Sequence, residues 1–207
     1  MLFNILALIS VIVTITLLRR LVNIFPTLLS CLVRWKENVN LEGSVKNIYD
    51  RNIIALGMTL PFCLAADRFR LYDLDFMETF GDDARLAITT GIFFTYFMIR
   101  RLASSMIRPA RDGKKKTYEI ANKASYTFFI ILTIVLVLTG GLMSFINIDD
   151  TLTRSAMRWI SAFTYALYIL RKTQIFASSF SIFTSFLCLC ALEIIPTGLL
   201  IAPALIF

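Results

Sequence analysis

After Lys172 the chain carries a single charged side chain, Glu193, set in the apolar run from Ile175 to Phe207. A carboxylate inside a membrane span costs a few kcal/mol on insertion scales, and such residues commonly serve proton, ion or substrate paths. The plainer reading is a structural ion pair, and the sequence favours it. A straight helix from Ala177 carries Glu193 about 24 Å along its axis at roughly 1.5 Å per residue. That places it near the outer interface, where Arg154, Arg158 or Arg85 would pair with it. Pro196, three residues on, ends or kinks the helix. Catalysis by carboxylate alone would need a second polar group beside Glu193, for which Asn147, Thr151 and Tyr165 are the modest candidates.

Other residue patterns have packing explanations. Ser178, Ser181, Ser185 and Cys188 recur at helical spacing, and small residues let helices approach closely in lipid. Phe176, Phe180, Phe183 and Phe186 form a bulky neighbouring stripe. Gly140 and Gly141 read as close packing or a flexible point. The acids Asp67, Asp73, Asp75, Glu78, Asp82 and Asp83 lack the calcium-loop pattern and read as solvated charge. The basic run from Arg108 to Lys116 suits anionic lipid headgroups. Cys31, Cys63, Cys188 and Cys190 lie in apolar runs without CxxC spacing, as small buried side chains do.

The chain contains no histidine, so His-ligated haem, the usual zinc hydrolase sites and His-based general base catalysis are excluded. Neither a Walker motif, a GxSxG elbow nor HExxH is present. No cofactor is expected, and the reading is non-enzymatic.

The elements that position these residues follow from composition. Hydrophobic residues make up 57% of the 207 and charged residues 17%, too apolar for a soluble domain of this size to cover. The bilayer is the natural solvent, and it requires helices because unpaired backbone groups cannot face lipid. The apolar runs are continuous, which argues against a transmembrane barrel. The expected fold is all-α, one polytopic bundle with spans near 2–18, 52–66, 86–99, 126–146, 157–170 and 177–195. The 13-residue stretch 21–33, containing Pro26, is too short to span and reads as an interfacial helix or a kinked continuation of the first. Arg171 to Gln174 reads as a tight turn between the last two spans, and 147–158 as a polar connection.

Charge sets the expected orientation. With the N-terminus outside, the inner segments hold Arg19, Arg20, Arg34, Lys36, Lys46, Arg51, Arg100, Arg101, Arg108, Arg111, Lys114, Lys115, Lys116, Lys123, Arg171 and Lys172. The outer segments hold only Arg68, Arg70, Arg85, Arg154 and Arg158. This is a strong positive-inside bias, and it favours six spans with both termini outside. The net charge of +7 therefore reflects topology rather than nucleic acid as a partner.

The segment from Tyr168 to Phe183, with Phe186-Leu-Cys-Leu-Cys-Ala-Leu-Glu-Ile-Ile-Pro196, resembles a family of uncharacterised multi-pass membrane proteins of Bacteroidetes. That family carries a Leu-Glu-Ile-Leu-Pro motif near its C-terminus, read here as Leu192-Glu-Ile-Ile-Pro196. The likeness is close over about 30 residues; the basic residue that often closes the family tail is missing after Lys172. It implies an inner-membrane protein and no particular activity. The function expected is a scaffold or accessory subunit of an envelope assembly, with a membrane-protein partner. The alternative is a small transporter or lipid-binding protein centred on Glu193.

Overall fold

The computed structural model describes residues 2–71, 81–106 and 112–198. Among these residues every element is helical: α1 (Leu2–Val33), α2 (Trp35–Leu41), α3 (Val45–Gly57), α4 (Thr59–Arg68), α5 (Asp82–Met106), α6 (Asp112–Phe145), α7 (Asp150–Ala177) and α8 (Ile182–Leu189). A wider π turn, Cys190–Ile194, continues α8, and residues 195–198 are again helical. Among the described residues three helices are long and apolar enough to cross a membrane, within Phe3–Val33, Asp83–Met106 and Lys114–Phe145. Several acids of the loop named above (Asp73, Asp75 and Glu78), the bases Arg108 and Arg111, and the tail beyond Gly198 lie outside the described residues.

The expected segments merge or shift. Stretches 2–18 and 21–33 form the single helix α1, with Pro26 inside it, so the continuation reading holds and the separate interfacial helix does not. The 52–66 run is divided between α3 and α4, which meet at Met58. Pro61 has no N–H to donate to the carbonyl four residues back, which favours restarting the helix at this point. The polar connection is much shorter than 147–158, because α7 already begins at Asp150. Asn147 makes this possible with a left-handed backbone (φ 55°). Its N–H bonds the Ser144 carbonyl at 3.3 Å and that of Ile148 bonds Met143 at 3.1 Å, the paired bonds of a Schellman cap. A β-branched residue cannot hold that conformation cheaply, so Asn147→Val is expected to lower stability by about 1–2 kcal/mol, measured by unfolding in mixed micelles.

The core runs along α6. Ile130 and Ile131 pack with Ile24, Leu28 and Ile54; Ala121 and Ala124 pack with Ile175, Phe176 and Leu192; Leu136 packs with Phe62 and Met157. Gly140 extends this contact, since a Cβ there would stand 2.4 Å from the Phe69 ring and 2.7 Å from Met157 Cε. Gly141 has nothing within 4 Å of that position, so only the first glycine of the pair serves close packing. At the end of α1 the Arg171 Nε donates to the Leu32 carbonyl at 2.8 Å, satisfying one of the acceptors a helix end leaves open. Leu8, Val11 and Ile15 of α1 remain exposed, as lipid-facing side chains do.

The last two helices differ most from expectation. Arg171 to Gln174 is not a turn: α7 runs on to Ala177, and the reversal falls at 178–181. The serine stripe is therefore broken. Ser178 caps the end of α7 and Ser181 begins α8, accepting from the Thr184 N–H at 3.4 Å. Ser185 is buried. The phenylalanine stripe also divides, with Phe176 fully buried and Phe183 and Phe186 exposed.

Candidate functional site

Four pairs of polar residues at i, i+4 spacing converge in the bundle: Tyr96 and Arg100 on α5, Tyr118 and Asn122 on α6, Tyr168 and Lys172 on α7, and Glu193 and Thr197 at the chain's C-terminal helix. This spacing puts both members of each pair on one helix face. α8 returns antiparallel to α7, so Glu193 meets Tyr168 and Lys172 while Thr197 meets Tyr165.

One carboxylate oxygen organises the centre. Glu193 Oε1 accepts from Arg100 Nη2 at 2.7 Å, from Arg100 Nε at 3.1 Å and from the Tyr168 hydroxyl at 2.7 Å. The Lys172 ammonium is in direct contact with the same oxygen. Lys172 also donates to Asn122 Oδ1 at 3.0 Å and to the Tyr168 oxygen at 3.2 Å. Arg100 donates to that oxygen too, at 2.6 Å, so the phenol is both a donor to the carboxylate and an acceptor from both cations. The outer ring continues through Asn122 Nδ2 to Ser104 Oγ at 2.6 Å and the Tyr118 hydroxyl to the Ser104 carbonyl at 2.8 Å. The Glu193 side chain is 1% exposed and that of Lys172 0%, whereas that of Arg100 is 15%.

The π turn arises beside Pro196, whose missing N–H and ring disfavour the regular bond to the residue four back. The widened turn bonds the Ile195 N–H to the Cys190 carbonyl. The Tyr165 hydroxyl points into this turn, 3.3 Å from the Glu193 carbonyl and 3.0 Å from Thr197 Oγ1. Pro196 itself is buried.

The three arginines expected around Glu193 are elsewhere. Arg85 Nε pairs with Asp67 at 3.0 Å. Arg154 and Arg158 stand in the first half of α7, and Arg158 is about 21 Å from Lys172 at roughly 1.5 Å per residue. The expectation failed because it started the last helix at Ala177. From Ile182 to Glu193 the rise is only about 16 Å, and helical side chains such as Lys172 and Tyr168 lean back toward the N-terminus of α7, away from the reversal. Glu193 thus lies level with residues assigned to the inner flank. Of the possible catalytic neighbours Tyr165 alone is present, and it bonds the Glu193 backbone rather than its carboxylate. Asn147 and Thr151 are at the far end of α7, in and next to its N-terminal connection.

Arg100, Tyr168 and Lys172 are the residues that sequence reasoning missed. The cations look like loop flanks when apolar runs are trimmed to their uncharged cores. The repeated i, i+4 pairing of Tyr with Arg, Lys or Asn is the signal that could have found them. Among the described residues no cluster of His, Cys, Asp and Glu could hold a metal ion, and all four cysteines are free.

A second, smaller cluster has the same stoichiometry. Arg51, 1% exposed, meets Glu42 Oε1 at 2.6 Å through Nη2, and Lys123 meets Glu42 Oε2 at 3.2 Å. In the larger cluster, Tyr168→Phe removes the hydroxyl that three charged groups share. It is expected to cost about 1–3 kcal/mol of stability in mixed-micelle unfolding, since it leaves buried partners unsatisfied; an unchanged midpoint would show the hydroxyl to be dispensable. Compared with protein-family models, curated proteins and solved structures, the chain matches none.

Proposed function

We propose that the protein is a non-enzymatic integral membrane component, a scaffold or accessory subunit of a cell-envelope assembly in the inner membrane. The observation that carries this reading is the engagement of Glu193 by Arg100, Lys172 and Tyr168 within the bundle. A carboxylate held this way clamps the C-terminal helix to α5 and α7. A transport site would instead open Glu193 to water. A groove of about 320 Å³ lies at Leu29, Ser30, Val33, Arg34 and Glu37, and the Glu193 cluster contributes nothing to its walls.

In this reading α3 with α4, α7 and α8 join α1, α5 and α6, the three described helices long and apolar enough to span, to make six passes with both termini outside, as the basic flanks favour. The kinship suggested by the Leu192-Glu-Ile-Ile-Pro196 motif belongs to the same proposal. The test is gentle purification from native membranes, with mass spectrometry of all co-eluting proteins and lipids. A stoichiometric protein partner is the expected result. A protein that elutes alone, and whose Glu193→Gln variant folds normally but loses a solute flux, would replace the scaffold by a transporter.

A further inference from the structure

We propose that the elbow between α1 and α2 seats the headgroup of a phosphatidylethanolamine-type lipid, with its phosphate on Arg34 and its ammonium on Glu37. The proposal goes beyond the scaffold reading and stands whether or not a protein partner exists. A cavity is its first support. A groove of about 320 Å³ is lined by Leu29, Ser30, Val33, Arg34 and Glu37. That volume is at the lower end for small-molecule sites and suits a headgroup rather than a whole lipid. The groove forms because the helix breaks at Arg34, whose extended backbone (φ −129°, ψ 119°) separates α1 from α2.

Unpaired charge is the second support. Arg34 is exposed, and among the described residues its guanidinium makes no hydrogen bond, ion pair or ring contact. Glu37 Oε2 accepts from Asn40 Nδ2 at 3.3 Å, and its Oε1 has no described partner. The two residues share the groove, yet they form no ion pair with each other. A ligand that carries both signs bridges them. The planar guanidinium suits two phosphate oxygens at once, and the carboxylate takes N–H donors. Ser30 Oγ already donates to the Pro26 carbonyl at 2.9 Å and keeps its lone pairs for the same ammonium. Phosphatidylcholine has no N–H to donate, and phosphatidylglycerol has no cation, so neither satisfies both residues.

The surroundings supply the other half of an amphiphile's needs. Leu29 and Val33, one turn apart on α1, are exposed by 42% and 70%, and acyl chains would cover them. The depth also fits. The Leu32 carbonyl holds Arg171 Nε at 2.8 Å, among the cations that the charge pattern sets on the inner flank. Trp35, with the Lys36 ammonium 5.9 Å from its ring, belongs at headgroup level.

The test uses the full chain in neutral detergent, titrated with phosphatidylethanolamine, phosphatidylcholine, phosphatidylglycerol or free phosphoethanolamine and read by native mass spectrometry and thermal unfolding. Phosphatidylethanolamine is expected to be retained and to raise Tm saturably. It should bind roughly tenfold or more tightly than phosphatidylcholine, as one charge-assisted hydrogen bond provides. Glu37→Gln is expected to erase that preference, and Arg34→Gln to weaken both lipids. Phosphoethanolamine, which lacks acyl chains, should not bind at matched concentration. Arg101→Gln, at an exposed site on α5, should leave all four titrations unchanged. The proposal is overturned if phosphatidylcholine or phosphatidylglycerol binds as tightly as phosphatidylethanolamine, or if free phosphoethanolamine does. A preference that survives Glu37→Gln, or phosphatidylethanolamine binding unweakened by Arg34→Gln, overturns it equally.

Discussion

Glu193→Leu is expected to destabilise the protein more than any other single change in the bundle, by about 3–5 kcal/mol, because it strands two buried cations. The Arg100 and Lys172 side chains would lose the oxygen they share, and no second described carboxylate faces both of them. Lys172→Met should cost much less, because the Glu193 carboxylate keeps Arg100 and the Tyr168 hydroxyl. The pair of changes together, Lys172→Met with Glu193→Leu, is therefore expected to be less destabilising than the sum of the two. Residues sharing one ion-pair network typically couple by about 0.5–3 kcal/mol. The measurement is a double-mutant cycle on unfolding midpoints in mixed micelles. Strict additivity, or a Glu193→Leu variant as stable as the parent, would remove the clamp from the account of this fold.

The second large effect is expected at Gly140. Its Cβ position lies 2.4 Å from ring carbons of Phe69 and 2.7 Å from Met157 Cε, so Gly140→Val forces α6 away from both. Overpacking of a fitted contact typically costs about 1–3 kcal/mol. Gly141→Val, one residue on and with open space at its Cβ, should fall well below that. A Phe69→Leu change made together with Gly140→Ala should recover part of the loss by vacating the ring's volume. If the Gly140 and Gly141 variants unfold together, the clash is relieved by a shift of the helices and does not set stability.

Much of the fold is legible in the amino-acid sequence. Continuous apolar runs require membrane helices, because lipid offers backbone groups no partner, and each expected span falls largely on helical chain. Glu193 stands out for the same reason, as the single charge in the last apolar stretch. Gly140 and Gly141 read alike from the sequence, as close packing or a flexible point, and only the structure shows that Gly140 is the one that packs. Boundaries are less legible. Trimming a span at its first cation cuts Arg100 off α5 and Lys172 off α7, although a long cationic side chain with a buried carboxylate to meet costs far less inside the bundle than an unpaired one.

The sequence by itself determined that the chain is helical and apolar enough for a membrane, that it offers no histidine, and that Glu193 is the charge to be explained, by an ion pair or by a transport role. Those conclusions rest on local properties, apolar run length, residue type and charge, which act wherever the residues end up. The tertiary structure alone decided which cations answer Glu193. That choice depends on the reversal at 178–181, on the wide turn beside Pro196 and on the lean of α7 side chains toward its N-terminus. Those features together set the depth at which α8 passes α7. A shift of one helical turn, about 5.4 Å, would have given the carboxylate different neighbours.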